Sequence, residues 1–107
     1  MDNYKTIVEI GSFSIKTIIY SELDKEFSII GTGKAIPSKL ISNQFVGKKT
    51  KKKDSWIYKK SGIISRFHVN PLKKENASSL SVIAAKKAIL SSNIKKDDIG
   101  LVVGCTF

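Results

Sequence analysis

The segment Leu101-Val102-Val103-Gly104-Cys105-Thr106 is a continuous apolar run, and it follows a helical pattern that extends from Leu80 to Ser92. The apolar residues on one face of that helix are Leu80, Ile83, Ala84 and Ala88. A helix followed by a fully apolar strand is typical of α/β proteins, in which helices cover both faces of a parallel sheet. The sequence therefore predicts an α/β fold with residues 101–106 as a buried strand.

Polar residues mark both ends of this helix. Asn76, Ser78 or Ser79 can cap its N-terminus, because each side chain offers an oxygen to the free backbone N–H groups of the first turn. Asn93 suits the position after the last turn, where a left-handed backbone is common, and Ile94 supplies the usual hydrophobic contact beyond it.

The N-terminal part of the chain favours strands. Thr6–Ile10 and Ile15–Tyr20 are rich in β-branched residues, and Gly11-Ser12-Phe13-Ser14 between them predicts a hairpin turn. A second polar turn at Glu22–Lys25 leads into the apolar run Phe27–Gly31. We expect a β-hairpin that extends into a three-stranded meander.

A lysine cluster occupies residues 48–53, within a region from 32 to 55 that has no long periodic run. We interpret it as an exposed loop. Five lysines in six residues could also contact nucleic acid phosphates. However, no aromatic residue is interleaved with them and no nucleic-acid-binding motif accompanies them, which argues against nucleic acid as the partner.

Composition limits the classes of function. The 107 residues suffice for one modest domain, and a single cysteine excludes an internal disulfide and fits a reducing, cytoplasmic location. No apolar run approaches the length of a membrane span, so we expect no membrane partner. The net charge of +10 predicts an anionic partner, although the many lysines, isoleucines and asparagines are also what an AT-rich coding bias produces.

The segment Ser55–Arg66 reads Ser-Trp-Ile-Tyr-Lys-Lys-Ser-Gly-Ile-Ile-Ser-Arg and sets one indole among cations. Trp56 offers a flat face for stacking on a base, and Lys59, Lys60 and Arg66 offer charged groups for phosphates. The alternative is a buried tryptophan beside a solvated basic loop.

This segment resembles the W-I-x-x-[KR]-[ST]-G-I-x-x-R signature of the 3-oxoacyl-[acyl-carrier-protein] synthase III (ketoacyl synthase III) family. Upstream, Ile29-Ile30-Gly31-Thr32-Gly33, then Pro37 and Asn43, resemble the opening strand and first loop of that family. Downstream, the helix from Leu80 and the strand after it resemble the next helix and a central strand.

The resemblance covers residues 28–107 and implies the N-terminal part of a thiolase-like fold. Residues 1–27 would then form a β-hairpin extension of unknown role. Family members have roughly three hundred residues in two similar halves, so we expect this chain to be a fragment or truncated product. Because residues 101–106 would lack covering elements, we also expect marginal folding or self-association.

The resemblance also implies a function. A complete synthase of this family takes an acyl group from acyl-coenzyme A onto a cysteine and condenses it with malonyl-acyl carrier protein, which starts fatty-acid synthesis. Trp56 would stack on the adenine of the coenzyme and Lys60 would contact its phosphates. Lys60 stands where the family usually has arginine, which replaces a bidentate grip by a point charge and predicts weak binding. The lysine cluster would help to attract the coenzyme or the acidic acyl carrier protein.

No catalytic residue and no metal ligand is assigned in this chain. The family's nucleophilic cysteine, its histidine and its asparagine match no residue here, so the sequence leaves open whether the chain is an enzyme. Cys105 lies at a position where the family has a small strand residue, and we interpret it as a buried small hydrophobe. His68 is the only histidine, and we interpret it as a surface residue.

Residues 5–38 carry a second resemblance. Val8-Glu9-Ile10-Gly11-Ser12-Phe13-Ser14-Ile15-Lys16 resembles the first phosphate-binding hairpin of actin-like ATPases, in particular the bacterial cell-division actin homologue. Glu9 stands where most of that superfamily has aspartate. The alternative for these residues is an ordinary hairpin in which Gly11 relieves a tight turn. The alternatives to the synthase interpretation of the whole chain are an actin-like nucleotide-binding piece and a basic nucleic-acid binder.

Overall fold

A computed structural model of the protein describes residues 4–10, 14–23 and 25–106. The elements in chain order are β1 (Tyr4–Ile10), β2 (Ile15–Leu23), β3 (Glu26–Ala35), β4 (Lys39–Ser42), α1 (Asn43–Thr50), α2 (Asp54–Ser61), β5 (Ser65–His68), α3 (Ala77–Ser92) and β6 (Ile99–Thr106), with short 3₁₀ turns at Pro71–Lys73 and Lys96–Asp98. The longest helix in the described part of the chain, α3, has 16 residues, and no helix there combines the length and apolar character that crossing a bilayer requires.

The main sheet has four strands in the order β3-β2-β1-β6. β1 pairs antiparallel with β2, and β2 pairs antiparallel with β3, so the predicted meander is confirmed. β6 pairs with β1 in parallel, as expected of a strand that follows a helix. The sheet is therefore mixed and the predicted α/β class is confirmed. Of the predicted hairpin turn, Gly11, Ser12 and Phe13 lie outside the described residues.

Helix α3 begins at Ala77, three residues before the predicted Leu80, with Asn76 as the one of the three candidate caps that is used, and it ends at Ser92 as predicted. The Asn76 side chain accepts a hydrogen bond from the Ser79 backbone N–H, and the Ser79 hydroxyl accepts one from the Asn76 N–H, both at 2.9 Å. This reciprocal pair satisfies two backbone donors that the first turn leaves free. At the other end Asn93 adopts the left-handed conformation with φ of 59°.

α3 packs across β2 and β3 through a narrow stripe of Leu80, Ala84 and Ala88, which are all buried. The prediction that Ile83 belongs to this face is wrong, since its side chain is 44% exposed. The reason is close packing: the helix backbone rests on Gly33, so that little more than the alanine stripe fits against the sheet. A Cβ added to Gly33 would overlap the Ala84 carbonyl oxygen.

The α3 side chains also protect the outer edge of β3. The Ser91 hydroxyl accepts a hydrogen bond from the Thr32 N–H at 3.0 Å and donates one to the Thr32 carbonyl at 3.1 Å. The Lys87 ammonium lies 3.3 Å from the Lys34 carbonyl oxygen. Backbone groups that would be free at an edge strand are thereby paired with the helix.

β6 is at the opposite edge, and the prediction that it is buried on both faces is wrong. Val102 is 64% exposed and Val103 is 38% exposed, because α3 lies over β2 and β3 and does not extend to β6. Cys105, expected to be buried, is exposed for the same reason. Within the described residues the outer edge of β6 has no partner strand. Self-association through this edge stays a prediction that sedimentation can test.

The remaining elements form a second lobe. β4 and β5 pair antiparallel, and α1 and α2 pack against each other beside them. The Cα radius of gyration is 17.7 Å, well above the roughly 13 Å expected for a compact chain of this length, because the two lobes lie end to end. The expected loop at residues 48–53 is partly wrong: α1 continues to Thr50, and the left-handed Lys51 then ends it.

The predicted division at residues 27 and 28 falls inside β3. The first two strands share one sheet with β3 and β6, and β1 lies between β2 and β6. Residues 4–23 are therefore joined to the main lobe by strand pairing on both sides of β1.

Glu75 connects the two lobes at the turn before β4. Its carboxylate accepts hydrogen bonds from the Ser38 backbone N–H at 2.9 and 3.1 Å, and from the Ser38 hydroxyl. The hydroxyl bond is the main reason that the pKa of Glu75 lies below its ordinary value of 4.5, because hydrogen bonds to the ionised form favour that form. This contact fixes the turn before β4 against the segment that precedes α3.

Gly33→Ala is expected to destabilise the protein by about 1–3 kcal/mol, because the added methyl group meets the α3 backbone, which cannot move away without losing the alanine stripe. Urea unfolding followed by circular dichroism measures the change. Gly104→Ala is the matched control on β6, where nothing lies within 4 Å of the added Cβ, and it should leave stability unchanged or slightly higher. Equal effects of the two substitutions would contradict the close approach of α3.

Glu75→Gln is expected to destabilise the protein at neutral pH and to have little effect in acid. The pKa of Glu75 is lower in the folded state than in the unfolded one, so its stabilisation is present above about pH 4.5 and is lost as the pH falls below that value. Urea unfolding at pH 7 and pH 3 measures the difference. A stability gap between the two proteins that is as large at pH 3 as at pH 7 would contradict this contact.

Candidate functional site

Helix α2 presents the two residues that the sequence singles out. Trp56 and Lys60 are four residues apart in Asp54–Ser61, which places them one above the other on the same face of the helix. Gly62 ends α2 in the left-handed conformation with φ of 72°, and its N–H donates to the Tyr58 carbonyl at 2.7 Å. Glycine adopts that conformation without the steric cost that a side chain carries.

Trp56 is not buried, which removes the alternative of a core tryptophan. Its side chain is 45% exposed. The Lys52 ammonium lies 4.9 Å from the centroid of the indole ring, a cation–π distance. Lys52 lies in the turn between α1 and α2, four residues before Trp56. The first turn of α2 brings the two side chains into contact. The Lys52 ammonium therefore lies over the flat aromatic face, and Lys60 follows one helical turn along the same side of α2.

The region around Trp56 is strongly positive. Residues 48–60 contain seven lysines and one acidic residue, Asp54. Within the part of the chain that the structure describes, none of these lysines lies within 4 Å of a carboxylate. The last turn of α2 adds Lys59 and Lys60 at the end where the helix dipole is negative. The arrangement is suited to an aromatic ligand that carries several negative charges.

Arg66 holds the lobe together instead of facing a ligand. Its guanidinium donates to the Asn43 side-chain oxygen and, at 3.3 Å, to the Ser42 carbonyl. Asn43 is buried, and its side-chain amide donates to the Ile63 carbonyl at 2.5 Å. Arg66 on β5 thus ties the start of α1 to the strand that follows α2, and its guanidinium is engaged within the protein.

A groove that the sequence did not reveal lies between α1 and α2. Its volume is about 380 Å³, and the lining includes Asn43, Asp54, Ser55, Tyr58 and Ile64. Neither Trp56 nor Lys60 lines it, so the indole site and this groove are separate features of one helix pair. Asn43 and the segment Ser55–Arg66 were singled out in the sequence for their resemblance to the synthase family, but nothing in the sequence indicated that they line a common groove.

The lone histidine and the lone cysteine both lie on strands, outside helix α2. His68 is exposed on β5, and Cys105 is exposed on β6 in the other sheet. Among the described residues, no three histidine, cysteine, aspartate or glutamate side chains lie close enough together to hold a metal ion.

The fold and the site define an α/β protein with an exposed indole among lysine ammonium groups that can contact phosphates. Comparison with known proteins narrows this class. The chain is 34% identical over 79 residues to β-ketoacyl-[acyl-carrier-protein] synthase III of Clostridium botulinum, which covers 74% of this chain and 23% of the relative. The synthases of Clostridium acetobutylicum and Rhizorhabdus wittichii are 39% and 36% identical, over 79 and 78 residues.

The resemblance to the ketoacyl synthase III family, whose fold is thiolase-like, is thereby confirmed for about three quarters of the chain. The chain spans about a quarter of the length of these relatives. A match of 79 residues within 107 necessarily includes residues 29–79, and so it includes Trp56, Lys60 and the loop braced by Arg66. No protein-family model matches the chain.

Asn43→Ala is expected to lower the free energy of unfolding by about 1–3 kcal/mol, because it leaves the Ile63 carbonyl and the Arg66 guanidinium without their buried partner. Urea unfolding followed by Trp56 fluorescence measures the loss. Gln44→Ala, at the exposed neighbouring position, is the control and should change stability by less than about 0.5 kcal/mol. A tolerated Asn43→Ala would mean that Arg66 does not fix the lobe.

Proposed function

We propose that this chain contributes the coenzyme A-binding part of a ketoacyl synthase III-like acyltransferase. The observation that carries the proposal is the placement of Trp56 and Lys60 on one face of α2, with the Lys52 ammonium beside the indole. The sequence match to the synthases spans the whole of this helix. Neither the helix geometry nor the sequence match depends on catalytic groups, and we assign no catalytic role to any residue of the chain.

In the proposed complex the adenine stacks on the exposed indole of Trp56 and the phosphates meet Lys60. Stacking of a base on an aromatic side chain contributes about 1–3 kcal/mol. Lys60 adds a compact, hydrated charge in place of the planar fork of arginine, so its contribution is small and sensitive to salt. We therefore expect weak binding that depends mainly on Trp56.

The wider reaction is proposed by analogy with the relatives. Their names describe a β-ketoacyl synthase that acts with an acyl carrier protein. For this chain the corresponding substrate is acyl-coenzyme A and the corresponding protein partner is an acidic acyl carrier protein, in the cytoplasm. The seven lysines of residues 48–60 support such a partner, since unpaired surface cations speed association with an acidic protein.

A second candidate is nucleotide binding at the β1–β2 hairpin, as the resemblance to actin-like ATPases implies. The observation that favours it is that β1 and β2 form a long paired hairpin in the centre of the main sheet, from Tyr4↔Ser21 to Ile10↔Ile15. This candidate places the ligand in the main lobe, far from the lobe that carries Trp56. The two candidates therefore predict different binding surfaces.

Trp56→Ala is expected to weaken coenzyme A binding by about 5- to 150-fold, the range that corresponds to the loss of base stacking. Lys60→Gln should weaken it by about two- to fivefold, as for an exposed ionic contact. Isothermal titration calorimetry measures both, since it does not depend on the fluorescence of the residue removed. Lys39→Gln is the control, because it removes the same charge at an exposed position of β4, outside helix α2.

Two results would contradict the proposal: submicromolar affinity for coenzyme A, or affinity unchanged in Trp56→Ala. Competition distinguishes the two candidates. If ATP displaces coenzyme A only weakly and its own binding survives Trp56→Ala, a nucleotide site exists elsewhere, in agreement with the hairpin candidate.

A further inference from the structure

The face of the main sheet opposite α3 carries a groove of about 630 Å³. The lining includes Ile7, Glu9, Lys16, Ile18, Lys34 and Lys87. Its volume is in the range of small-molecule pockets, which is about 300–1,000 Å³. Within the described residues no helix lies on this face, and the groove is in the other lobe from Trp56.

Strand register arranges the groove in two rows. Glu9 on β1 is opposite Lys16 on β2, and Lys16 is opposite Lys34 on β3. Two residues along each strand, Ile7 is opposite Ile18. On the other side of Ile7, Val103 of β6 extends the apolar row. Since paired residues project to the same face, the groove has a charged row beside an apolar row.

The charged row has an excess of cations. Lys16 and Lys34 are directly opposite each other, an arrangement that is unfavourable for like charges on neighbouring strands. Lys87 reaches the same place from α3, with its ammonium 3.3 Å from the Lys34 carbonyl oxygen. Glu9 is the one acid in the row, and among the described residues it lies within 4 Å of none of these lysines. Three cations and one carboxylate give this row a net positive charge, which favours the binding of an anion.

The apolar row supplies the rest of a recognition surface. Val103 is 38% exposed and Ile29, further along the same face, is 66% exposed. The apolar residues of this row lie on β6, β1 and β2, and Thr32 follows opposite Ile18 on β3. From Val103 on β6 to Lys34 on β3 the groove crosses three strand spacings, or roughly 14 Å, which is comparable to an extended medium-length acyl chain. Covering these side chains would remove apolar surface from water, whereas a second copy of this +10 chain would bring like charges together.

We propose that this groove binds a single-chain amphiphilic anion, namely the carboxylate of a medium-chain fatty acid. The ammonium groups of Lys16, Lys34 and Lys87 hold the carboxylate, and the chain lies across Ile18, Ile7 and Val103. The proposal does not depend on the coenzyme site, because no residue of one belongs to the other.

Calorimetric titration of the full chain with dodecanoate, below its micellar concentration, tests this. We expect saturable binding of one molecule. Octanoate, which is four methylenes shorter, should bind at least about tenfold more weakly, because each buried methylene changes affinity by up to about fourfold. Dodecyltrimethylammonium has the same chain with the opposite charge and should not bind measurably.

Lys16→Gln and Lys34→Gln should each weaken dodecanoate binding by about three- to fivefold. Lys39→Gln, at an exposed position of β4 in the other lobe, is the control and should bind as the parent protein does. Thermal melting of the same variants checks folding. Since the substitutions relieve repulsion, we expect unchanged or higher melting temperatures.

Four outcomes would overturn the proposal: no saturable dodecanoate binding, equal binding of dodecyltrimethylammonium, unaltered affinity in both lysine variants, or dodecanoate-induced amide shifts confined to α1 and α2. Vesicles of phosphatidylglycerol provide a further test. If they bind the chain while monomeric dodecanoate does not, the face recognises a membrane surface and the proposed ligand is wrong.

Discussion

The close contact between α3 and the glycine positions of β3 determines the arrangement of the main lobe. Gly31 and Gly33 have no side chains to separate the helix from the sheet, and a Cβ at either position would meet the α3 backbone or its side chains. The helix therefore lies low over β2 and β3, where Ser91 and Lys87 also satisfy the outer edge of β3. The same placement leaves β6 and the opposite face of the sheet uncovered. The exposure of Val102 and Cys105, and the groove beside Lys16, are consequences of one packing contact.

Short sequence patterns predicted those features of the fold that depend on interactions between residues close in sequence. The limits of α3 followed from Asn76 and Asn93, whose side chains and backbone preferences act within a few residues. The meander followed from β-branched runs separated by turns. The exposure of β6 could not be predicted, because an apolar strand has the same sequence whether or not a helix covers it. Which strands α3 covers depends on glycines more than forty residues away, and the sequence pattern of the helix does not encode that choice.

In the candidate site, too, some features follow from residues close in sequence and others only from the folded arrangement. Trp56 and Lys60 could be singled out from the sequence, but their shared face could not, because no helix was predicted over residues 54–61. The position of Lys52 beside the indole depends on where α1 ends. That end could not be predicted, because the lysine-rich sequence of residues 48–53 indicates a loop. The brace between Arg66 and Asn43 joins residues on β5 and α1, so it became visible only in the folded lobe. The site residues can thus be found in one short segment of sequence, whereas the contacts that orient this segment join residues distant in sequence.

The proposed recognition of the adenine end of coenzyme A by the α2 face makes one contact specific to Trp56. Intermolecular nuclear Overhauser effects between the adenine protons of bound coenzyme A and the indole protons of Trp56 test it most directly. The account predicts such effects at Trp56, with amide shift changes that extend to Lys60 and Lys52. Adenine contacts to β1 and β2 without any at Trp56 would contradict it.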